Sequence, residues 1–382
     1  MRKRVLLLYI SEVSGHHKAT LAIESALKEL QPRIEILNVN AFRYTTPISE
    51  KIINSIYIGV IKRTPKIWEY LYDNPSVIKN TSKIKKIIHN FNSTKLKSLI
   101  DKFNPDCIVC TQAYPCGMIA DCKKTYSLSI PLIGVLTDYA PHSFWIYDSV
   151  DYYIVAAEEV KLRFIQKGIP ERKIINFGIP VDPKFVEIKN KERIANKLGL
   201  NLELPIILIM GGGQGLGPIK KMVNYIESIK EQLQIIVICG TNRKLLKWVK
   251  KKSIGSEKRI VSLEYVETID ELMEIASILI TKPGGLTTSE ALAKGLPMVL
   301  VNPIPGQETA NANFLTKKGA AIKIEDIKEI HKVIADLITN RQKIADMALQ
   351  ARQISKPKAA LDIASLIIKL CSNSYSTNLA TF

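Results

Sequence analysis

The sequence has no apolar run long enough to cross a bilayer, for which a helix needs an unbroken stretch of ~20 residues. We therefore do not expect a membrane-spanning protein. Acidic residues are also scarce, because 36 Asp and Glu stand against 54 Lys and Arg and leave a net charge of +18. Such an excess favours a polyanionic partner, either nucleic acid or an anionic membrane surface. We expect a cytoplasmic protein, peripheral on the inner face of the cell membrane.

Cysteine is infrequent, with six in 382 residues, which fits a reducing compartment. Cys107 and Cys110 form a CxxC pattern, but the pair lies in a predicted strand and not in a redox loop. A second CxxC or a paired histidine that would complete a zinc site is missing. We expect buried apolar thiols and no bound metal.

Apolar runs and helical patterns alternate along most of the chain, which is typical of parallel sheets covered by helices on both faces. The opening MRKRVLLLYI is predicted to be a first buried strand, since its apolar run is too short for a signal peptide and no cleavage site follows. A length of 382 residues with 46% hydrophobic content predicts two globular domains.

The domain boundary is expected in the polar, proline-containing segment 181–204, which we predict to be a linker. It would separate an N-terminal Rossmann-like domain over 1–180 from a C-terminal one over 205–356. The last segment, 357–382, has a helical pattern and is predicted to return to the N-domain.

Two glycine-rich turns follow strand-like runs in the second half of the chain. One is GGGQG, from Gly211, and the other is Pro283-Gly284-Gly285, which leads into a helical run. Such turns let a phosphate approach backbone N–H groups and the positive end of a helix dipole. Close packing of helix on strand also demands glycine, so the turns alone indicate a nucleotide site only weakly.

The segment SGHHKAT follows the first strand and places His16 and His17 at the start of a helix. An imidazole titrates near neutral pH and can accept a proton from a hydroxyl group. The alternative is a pair of solvated histidines at a helix N-terminus.

A long insertion, residues 42–103, separates the second strand from CIVC and is too long for an ordinary crossover. Its stretch VIKNTSKIKKIIHNF has apolar residues on one helical face and lysines elsewhere, as in helices that lie on anionic lipid. A helix packed on its own domain with a solvated lysine face is the alternative interpretation.

Several motifs together resemble the family 28 glycosyltransferases: SGHHKAT, LTDYAPHSFW, GGGQGLGPI, TKPGGLTTSEALAKGLP and PIPGQETANA. The similar branch contains the monogalactosyldiacylglycerol synthases and the processive diacylglycerol glucosyltransferases. The resemblance implies a GT-B type α/β fold, with two Rossmann-like domains facing across a cleft. It also implies an inverting enzyme that moves a hexose from UDP-glucose or UDP-galactose to diacylglycerol. No clustered DxD motif stands at a suitable turn, and no metal cofactor is expected.

The resemblance also assigns roles to residues. His17 aligns with the family's general base, and Asp138 with a residue beside the acceptor. This chain has Ser14 and His16 where relatives often have glycine, so His16 remains an alternative base. Lys282 is either a phosphate partner or a solvated lysine. The donor-binding set is Gly212, Gly213, Gln214, Pro283, Gly284, Thr287, Glu290, Gln307 and Glu308. The acceptor and membrane set is Trp68, Tyr70, Lys83, Ile84, Ile87 and Ile88.

Three other functions are consistent with parts of this sequence. The same fold serves transferases of UDP-N-acetylglucosamine that act on a polyprenyl-linked acceptor, and it could serve a non-catalytic nucleotide-sugar-binding membrane protein. A nucleic-acid binder would explain the charge but not the paired glycine turns. The partners expected are a UDP-sugar, diacylglycerol or a related lipid and an anionic membrane surface, with no nucleic acid.

Overall fold

The computed structural model describes residues 2–12, 14–45, 94–140 and 143–378. The chain divides into two compact units. Unit 1 comprises Met1–Pro183, Ile304–Gln307 and Pro357–Phe382, and unit 2 comprises Lys184–Pro303 and Glu308–Lys356.

Unit 1 is built on a parallel six-stranded sheet of order β2-β1-β3-β4-β5-β6. Its central strands read VLLLY and CIVC and are buried on both faces, as expected where helices cover a parallel sheet on each side. The strands are β1 Arg4–Tyr9, β2 Glu35–Asn40, β3 Cys107–Cys110, β4 Leu132–Val135, β5 Tyr152–Ile154 and β6 Ile174–Ile175. The helices are α1 Gly15–Leu30, α2 Ala41–Thr45, α3 94–103, α4 Ala113–Tyr126 and α5 Glu158–Gln166.

Unit 2 repeats this architecture with the strand order β12-β11-β10-β7-β8-β9, again all parallel. The strands are β7 Ile206–Met210, β8 Gln234–Ile238, β9 Ile260–Leu263, β10 Ile278–Thr281, β11 Met298–Val301 and β12 Ala321–Ile324. The helices are α6 Lys191–Leu198, α7 Ile219–Glu227, α8 Arg243–Ile254, α9 Ile269–Ile275, α10 Gly285–Ala293, α11 Gln307–Lys317, α12 Ile330–Thr339 and α13 Arg341–Ile354. The first residue of α11, Gln307, belongs to unit 1.

The segment 181–204, expected as a linker, is structured over much of its length and differs from that expectation. It contains α6, which is capped by the Asn190 side chain at its N-terminus and by Gly199 in the left-handed conformation at its C-terminus. From Lys184 onward the segment belongs to unit 2, and α6 packs on α9. Its polar composition marks the solvent face of a helix.

The final helix, α14 Ala359–Asn378, belongs to unit 1 and packs against α1. Ile363, Ala364 and Ile367 of α14 join the same buried cluster as Val5 and Ile23. The carboxyl-terminal segment therefore completes the core of the first unit, although it lies at the opposite end of the sequence.

All six cysteines are buried and unbridged. Cys107 and Cys110 lie in β3, where the hydrogen bond with Cys371 and then burial raise the pKa of Cys107, and burial raises the pKa of Cys110. Among the described residues, no cluster of three or more metal-ligating side chains occurs. Helices within the same ranges are too short or too polar to cross a membrane.

The strand order reverses once in each sheet, next to β1 and β3 in unit 1 and next to β7 and β10 in unit 2. In open α/β sheets, ligands bind beyond the carboxyl ends of the strands at such a switch point. The segment that follows β1 contains His16 and His17. The turns that follow β7 and β10 are the two glycine-rich turns of the sequence.

Candidate active site

The turn between β1 and α1 is held by side chains and not by glycine. Ser11 lies in the left-handed region with φ +62°. The Ser14 hydroxyl donates to the Ser11 carbonyl at 2.6 Å and accepts from the backbone N–H of His17 at 3.2 Å. Ser14 thus acts as the N-cap of α1 and fixes the direction in which the helix begins.

The ring of His17 is oriented by two contacts. It stacks on Tyr9, with ring centroids 4.1 Å apart and planes 16° apart, and its Nδ1 lies 2.9 Å from the Glu12 carbonyl oxygen. Because a carbonyl only accepts hydrogen bonds, we assign the proton of the neutral ring to Nδ1. Nε2 then carries the lone pair that can accept a proton.

The Glu12 side chain extends this arrangement to α2. Its carboxylate forms an ion pair with Arg43 at 3.1 Å, while its backbone carbonyl holds His17. Sequence analysis missed Glu12, because its contribution to the site is made by a main-chain atom that any residue type could supply.

His16 lies in a different environment from His17. Its Nδ1 is 3.0 Å from the Thr111 carbonyl oxygen and 2.8 Å from the Thr137 hydroxyl. Burial lowers the pKa of His16 to about 4, and the hydrogen bond with Thr111 acts in the opposite direction. The ring therefore stays neutral at physiological pH and has its Nδ1 engaged.

The shifted pKa of His16 gives the protein a pH dependence of stability. The unfolded ring, with its ordinary pKa of 6.5, takes up a proton as the pH falls, whereas the folded ring resists protonation until about 4. The stabilisation that comes from the neutral His16 ring is therefore fully present above the pKa of the unfolded ring. As the pH falls from 6.5 to about 4, the free energy of unfolding is expected to decrease by up to about 3 kcal/mol. Urea unfolding across this range should show a shallower pH dependence for His16→Asn than for the unchanged protein. The same slope in both proteins would contradict the assignment.

Asp138 lies shortly after the end of β4 and directly follows Thr137. Its Oδ2 accepts a hydrogen bond from Nε2 of Gln307 at 3.0 Å, and both residues belong to unit 1. The structure thus brings together Asp138, which is expected beside the acceptor, and Gln307, which is expected to bind a sugar hydroxyl.

In unit 2, the turn after β7 depends on glycine. Gly212 has φ +68°, which a side chain would strain, and its carbonyl accepts from the N–H of Gly215 at 3.0 Å. Gly213 accepts from the N–H of Thr241 at 3.0 Å, and Gln214 is exposed. Backbone groups of this turn are therefore presented close to the carboxyl end of β7.

The turn after β10 opens directly into α10. Gly284 is the N-cap, with φ −70° and ψ 135°, and a Cβ at this position would meet no chain atom within 4 Å. The first intrahelical bond runs from the N–H of Thr288 to the Gly284 carbonyl at 3.0 Å. The N–H groups that precede it have no intrahelical acceptor, so the helix presents donors and its positive dipole end to this open space.

Lys282 links the two turns of unit 2. Its Cε lies 3.7 Å from the position of a Cβ at Gly212, and its Nζ pairs with Oε1 of Glu308 at 2.7 Å. The Glu308 side chain is only 12% exposed. Lys282 thus lies beside the glycine turns with its ammonium group paired to a carboxylate, and its role toward a phosphate stays a prediction.

Two further predicted residues share one face of α10. Thr287 and Glu290 are three positions apart, a spacing that places both on the same side of a helix, and both are half-buried. Pro283 is buried, and its carbonyl accepts from Nδ2 of the fully buried Asn311 at 3.0 Å. Sequence analysis missed Asn311, although it stands one helical turn after Gln307 in the motif PIPGQETANA.

Six predicted acceptor and membrane residues lie outside the described residues: Trp68, Tyr70, Lys83, Ile84, Ile87 and Ile88.

Both halves of the chain match models of known protein families. Residues 16–181 match the family model of monogalactosyldiacylglycerol (MGDG) synthase, and residues 206–366 match the glycosyltransferase family 28 C-terminal domain. The processive diacylglycerol β-glucosyltransferase of Bacillus cytotoxicus is 33% identical over 368 residues, which cover 96% of this chain and 93% of that protein.

Solved structures share the fold at low sequence identity. MurG of Acinetobacter baumannii superposes with a TM-score of 0.64 at 16% identity, covering 96% of this chain and 99% of that one. S. aureus MnaA, solved with UDP, gives 0.63 at 15% identity and covers 94% of each chain. These likenesses confirm the expected GT-B type α/β fold. The family matches and the curated relatives show that the chain belongs to the diacylglycerol glycosyltransferases of glycosyltransferase family 28.

Proposed function

We propose that this protein transfers a hexose, with glucose as the favoured sugar, from a UDP-sugar to diacylglycerol, inverting the anomeric carbon. The observation that carries the proposal is the orientation of His17 at the switch point of unit 1, with Nδ1 bonded to the Glu12 carbonyl and Nε2 as the proton acceptor. The curated relatives named as diacylglycerol β-glucosyltransferases support both the sugar and the acceptor.

In the proposed reaction, the hydroxyl oxygen of diacylglycerol attacks the anomeric carbon of the sugar. Its proton passes to Nε2 of His17, while the bond between that carbon and the diphosphate oxygen breaks and UDP leaves with the electron pair. His17 provides general base catalysis, and the new glycosidic bond has the opposite configuration at the anomeric carbon.

The leaving diphosphate would be stabilised by unit 2. The N-terminus of α10 offers backbone donors and a positive dipole end, and the Lys282 ammonium group, which pairs with Glu308, lies beside Gly212. Glu290, Gln307 and Glu308 are proposed to bind ribose and sugar hydroxyls, for which carboxylate and amide groups are suited. With these groups in place, we propose that no metal is required, so turnover should persist when EDTA is added.

The acceptor places the enzyme at a bilayer, since diacylglycerol does not leave it readily. We propose peripheral attachment to the inner face of the cell membrane, supported by the net charge of +18 and by the basic amphipathic pattern of residues 77–91. Replacing Lys83, Ile84, Ile87 and Ile88 with Ser and Gln should weaken sedimentation with anionic vesicles. Unchanged sedimentation would refute this part of the proposal.

The deciding experiment is a transfer assay on anionic vesicles that contain or lack diacylglycerol, with UDP-glucose and UDP-galactose supplied separately. We expect a lipid-linked sugar and released UDP with UDP-glucose, only when diacylglycerol is present. If product formed only with UDP-galactose, the transferred sugar would be galactose and not glucose. UDP binding without glycolipid from either donor would remove diacylglycerol as the acceptor.

The polyprenyl-linked alternative is not favoured. Relatives at 31–33% identity over 96% of the chain are diacylglycerol glucosyltransferases, whereas MurG shares the fold at 16% identity. A protein that binds nucleotide sugars without turnover would not require an oriented imidazole beyond β1.

A further inference from the structure

The outward side of α8 in unit 2 consists of cations and one apolar residue. Spacings of three and four residues place its exposed side chains on one side of the helix. The opposite side, with Leu245, Leu246 and Val249, is buried in the core of unit 2. We call the exposed set the α8 face, and its members are Arg243, Lys244, Lys247, Lys250, Lys251 and Ile254.

The charge of the α8 face is not balanced locally. Within the ranges that the structure describes, no carboxylate forms an ion pair with its five cations, whereas Lys252 on the same helix pairs with Glu227 of α7. The sequence 232–256 contains no acidic residue. An ordinary solvated helix such as α6 exposes both signs, with Glu192 beside Lys191. A face of one sign creates a positive field that attracts a polyanion.

Two of the cations lie where the helix itself does not favour them. Arg243 and Lys244 are in the first turn of α8, which has no acidic residue, and the positive end of a helix dipole repels cations. The next helix, α9, has the favourable arrangement, with Asp270 and Glu271 in its first turn. Stability of the fold therefore does not account for the cations at the start of α8.

The apolar member of the α8 face indicates which polyanion it meets. Ile254 is 88% exposed and lies in line with Arg243 and Lys247 on the helix surface. On α7, the exposed Lys220 adds a further cation, with its Nζ 5.5 Å from the ring centroid of Trp248 on α8. An exposed apolar side chain among cations suits the boundary between headgroups and acyl chains, whereas nucleic-acid phosphates offer it nothing to bury against.

We propose that the α8 face docks unit 2 on an anionic lipid bilayer. Because the apolar side of α8 is occupied by the core, the helix does not insert. Its cations lie against anionic headgroups, and Ile254 reaches the start of the acyl chains. This contact is separate from the one proposed for residues 77–91, and it brings the unit with the proposed donor site to the membrane. The inference rests on the proposed function only for the choice of lipid as the polyanion.

The test measures how the full-length protein sediments with vesicles of phosphatidylcholine and phosphatidylglycerol, without substrate. Lys244, Lys247 and Lys251 are replaced together by Gln. The partition coefficient should fall by about a hundredfold, because each cation near an anionic surface contributes about fivefold. Vesicles of phosphatidylcholine alone should bind the unchanged protein and this variant equally weakly.

A matched control removes the same charge elsewhere in unit 2. It replaces Lys197, Lys317 and Lys332, which are exposed on three other helices, by Gln. This control should bind anionic vesicles like the unchanged protein. An equal loss in both triple variants would overturn the inference, because net charge alone would then account for binding.

Ile254→Ser separates lipid from nucleic acid as the partner. It should weaken binding to anionic vesicles by about fivefold, the contribution of one partly buried apolar side chain. Leu349→Ser is its control, because Leu349 is also apolar and 53% exposed, on α13, and it should bind normally. Unchanged vesicle binding by both Ile254→Ser and the α8 triple variant, with loss of DNA-duplex binding in the triple variant, would make the partner nucleic acid and overturn the inference.

Thermal unfolding reports whether each variant folds. Should the α8 triple variant not fold, Lys247→Gln takes its place, with an expected loss of about fivefold, and normal vesicle binding by this variant would overturn the inference. Transfer of sugar to diacylglycerol in neutral detergent micelles tests the proposed function without the α8 face. Transfer in micelles without binding to anionic vesicles would refute this inference alone, whereas vesicle binding that depends on the α8 face without transfer would refute the proposed function alone.

Discussion

Turnover of His17→Ala is expected to fall by a factor of about 10² to 10⁴, the range over which a positioned general base contributes to a reaction. Removal of the ring takes away Nε2, the nitrogen left available by the hydrogen bond from Nδ1 to the Glu12 carbonyl. Binding of UDP should be retained, because the proposed phosphate-binding turns lie in unit 2. The measurement is the rate of glycolipid formation on vesicles, beside calorimetric titration with UDP.

His331→Ala is a close control for this variant. His331 also has its Nδ1 on a backbone carbonyl, that of Lys328 at 2.7 Å, and also stacks on a tyrosine, Tyr225, with centroids 6.2 Å apart. The His331→Ala variant therefore loses the same kinds of contact as His17→Ala, but on α12, which has no proposed role in the reaction. Equal activity in His17→Ala and His331→Ala would remove His17 as the base.

Gly284→Ala is expected to weaken UDP binding by about tenfold or more, equivalent to about 1.4 kcal/mol or more, while leaving the fold intact. The backbone at Gly284 has φ −70°, which alanine adopts readily, and the added Cβ would meet no chain atom within 4 Å. That open space is where a diphosphate would approach the first N–H groups of α10. The methyl group should therefore obstruct the ligand and not the protein.

Stability separates this result from general damage. Alanine is a poorer N-cap than glycine, which costs at most about 1 kcal/mol of helix stability. Gly255→Ala is the matched control, because Gly255 also has negative φ at a helix end in unit 2 and a Cβ there would also meet nothing within 4 Å. It should bind UDP normally. Undiminished UDP binding by Gly284→Ala would show that the diphosphate does not lie over this turn.

Much of the fold was predictable from pattern alone. Runs such as VLLLYI and PIILIM are apolar at every position, which is typical of strands buried on both faces, and the alternation with amphipathic segments predicts parallel α/β sheets. The segment 181–204 was predicted to be a linker but contains α6, because a short helix with a polar exposed face has the composition of a linker. Burial by a neighbour such as α9 is not visible in a local window.

The site was predictable only in part. Histidine and the glycine turns stand out because their chemistry depends on residue type, and the family motifs gave each a role. Glu12, Thr111 and Thr137 do not stand out, since Glu12 and Thr111 act through backbone carbonyls and Thr137 through a hydroxyl, and such groups occur everywhere in proteins.

The sequence by itself determined the α/β class, the two glycine turns, the histidine pair and the family to which they point. Only the tertiary structure distinguished the two histidines, which are neighbours in the chain. His16 turns inward onto Thr111 and Thr137, whereas His17 lies on Tyr9 with its Nδ1 on the Glu12 carbonyl. The reason is physical: the pKa and the available nitrogen of an imidazole depend on burial and hydrogen-bond partners, and residues distant in sequence supply these for His16.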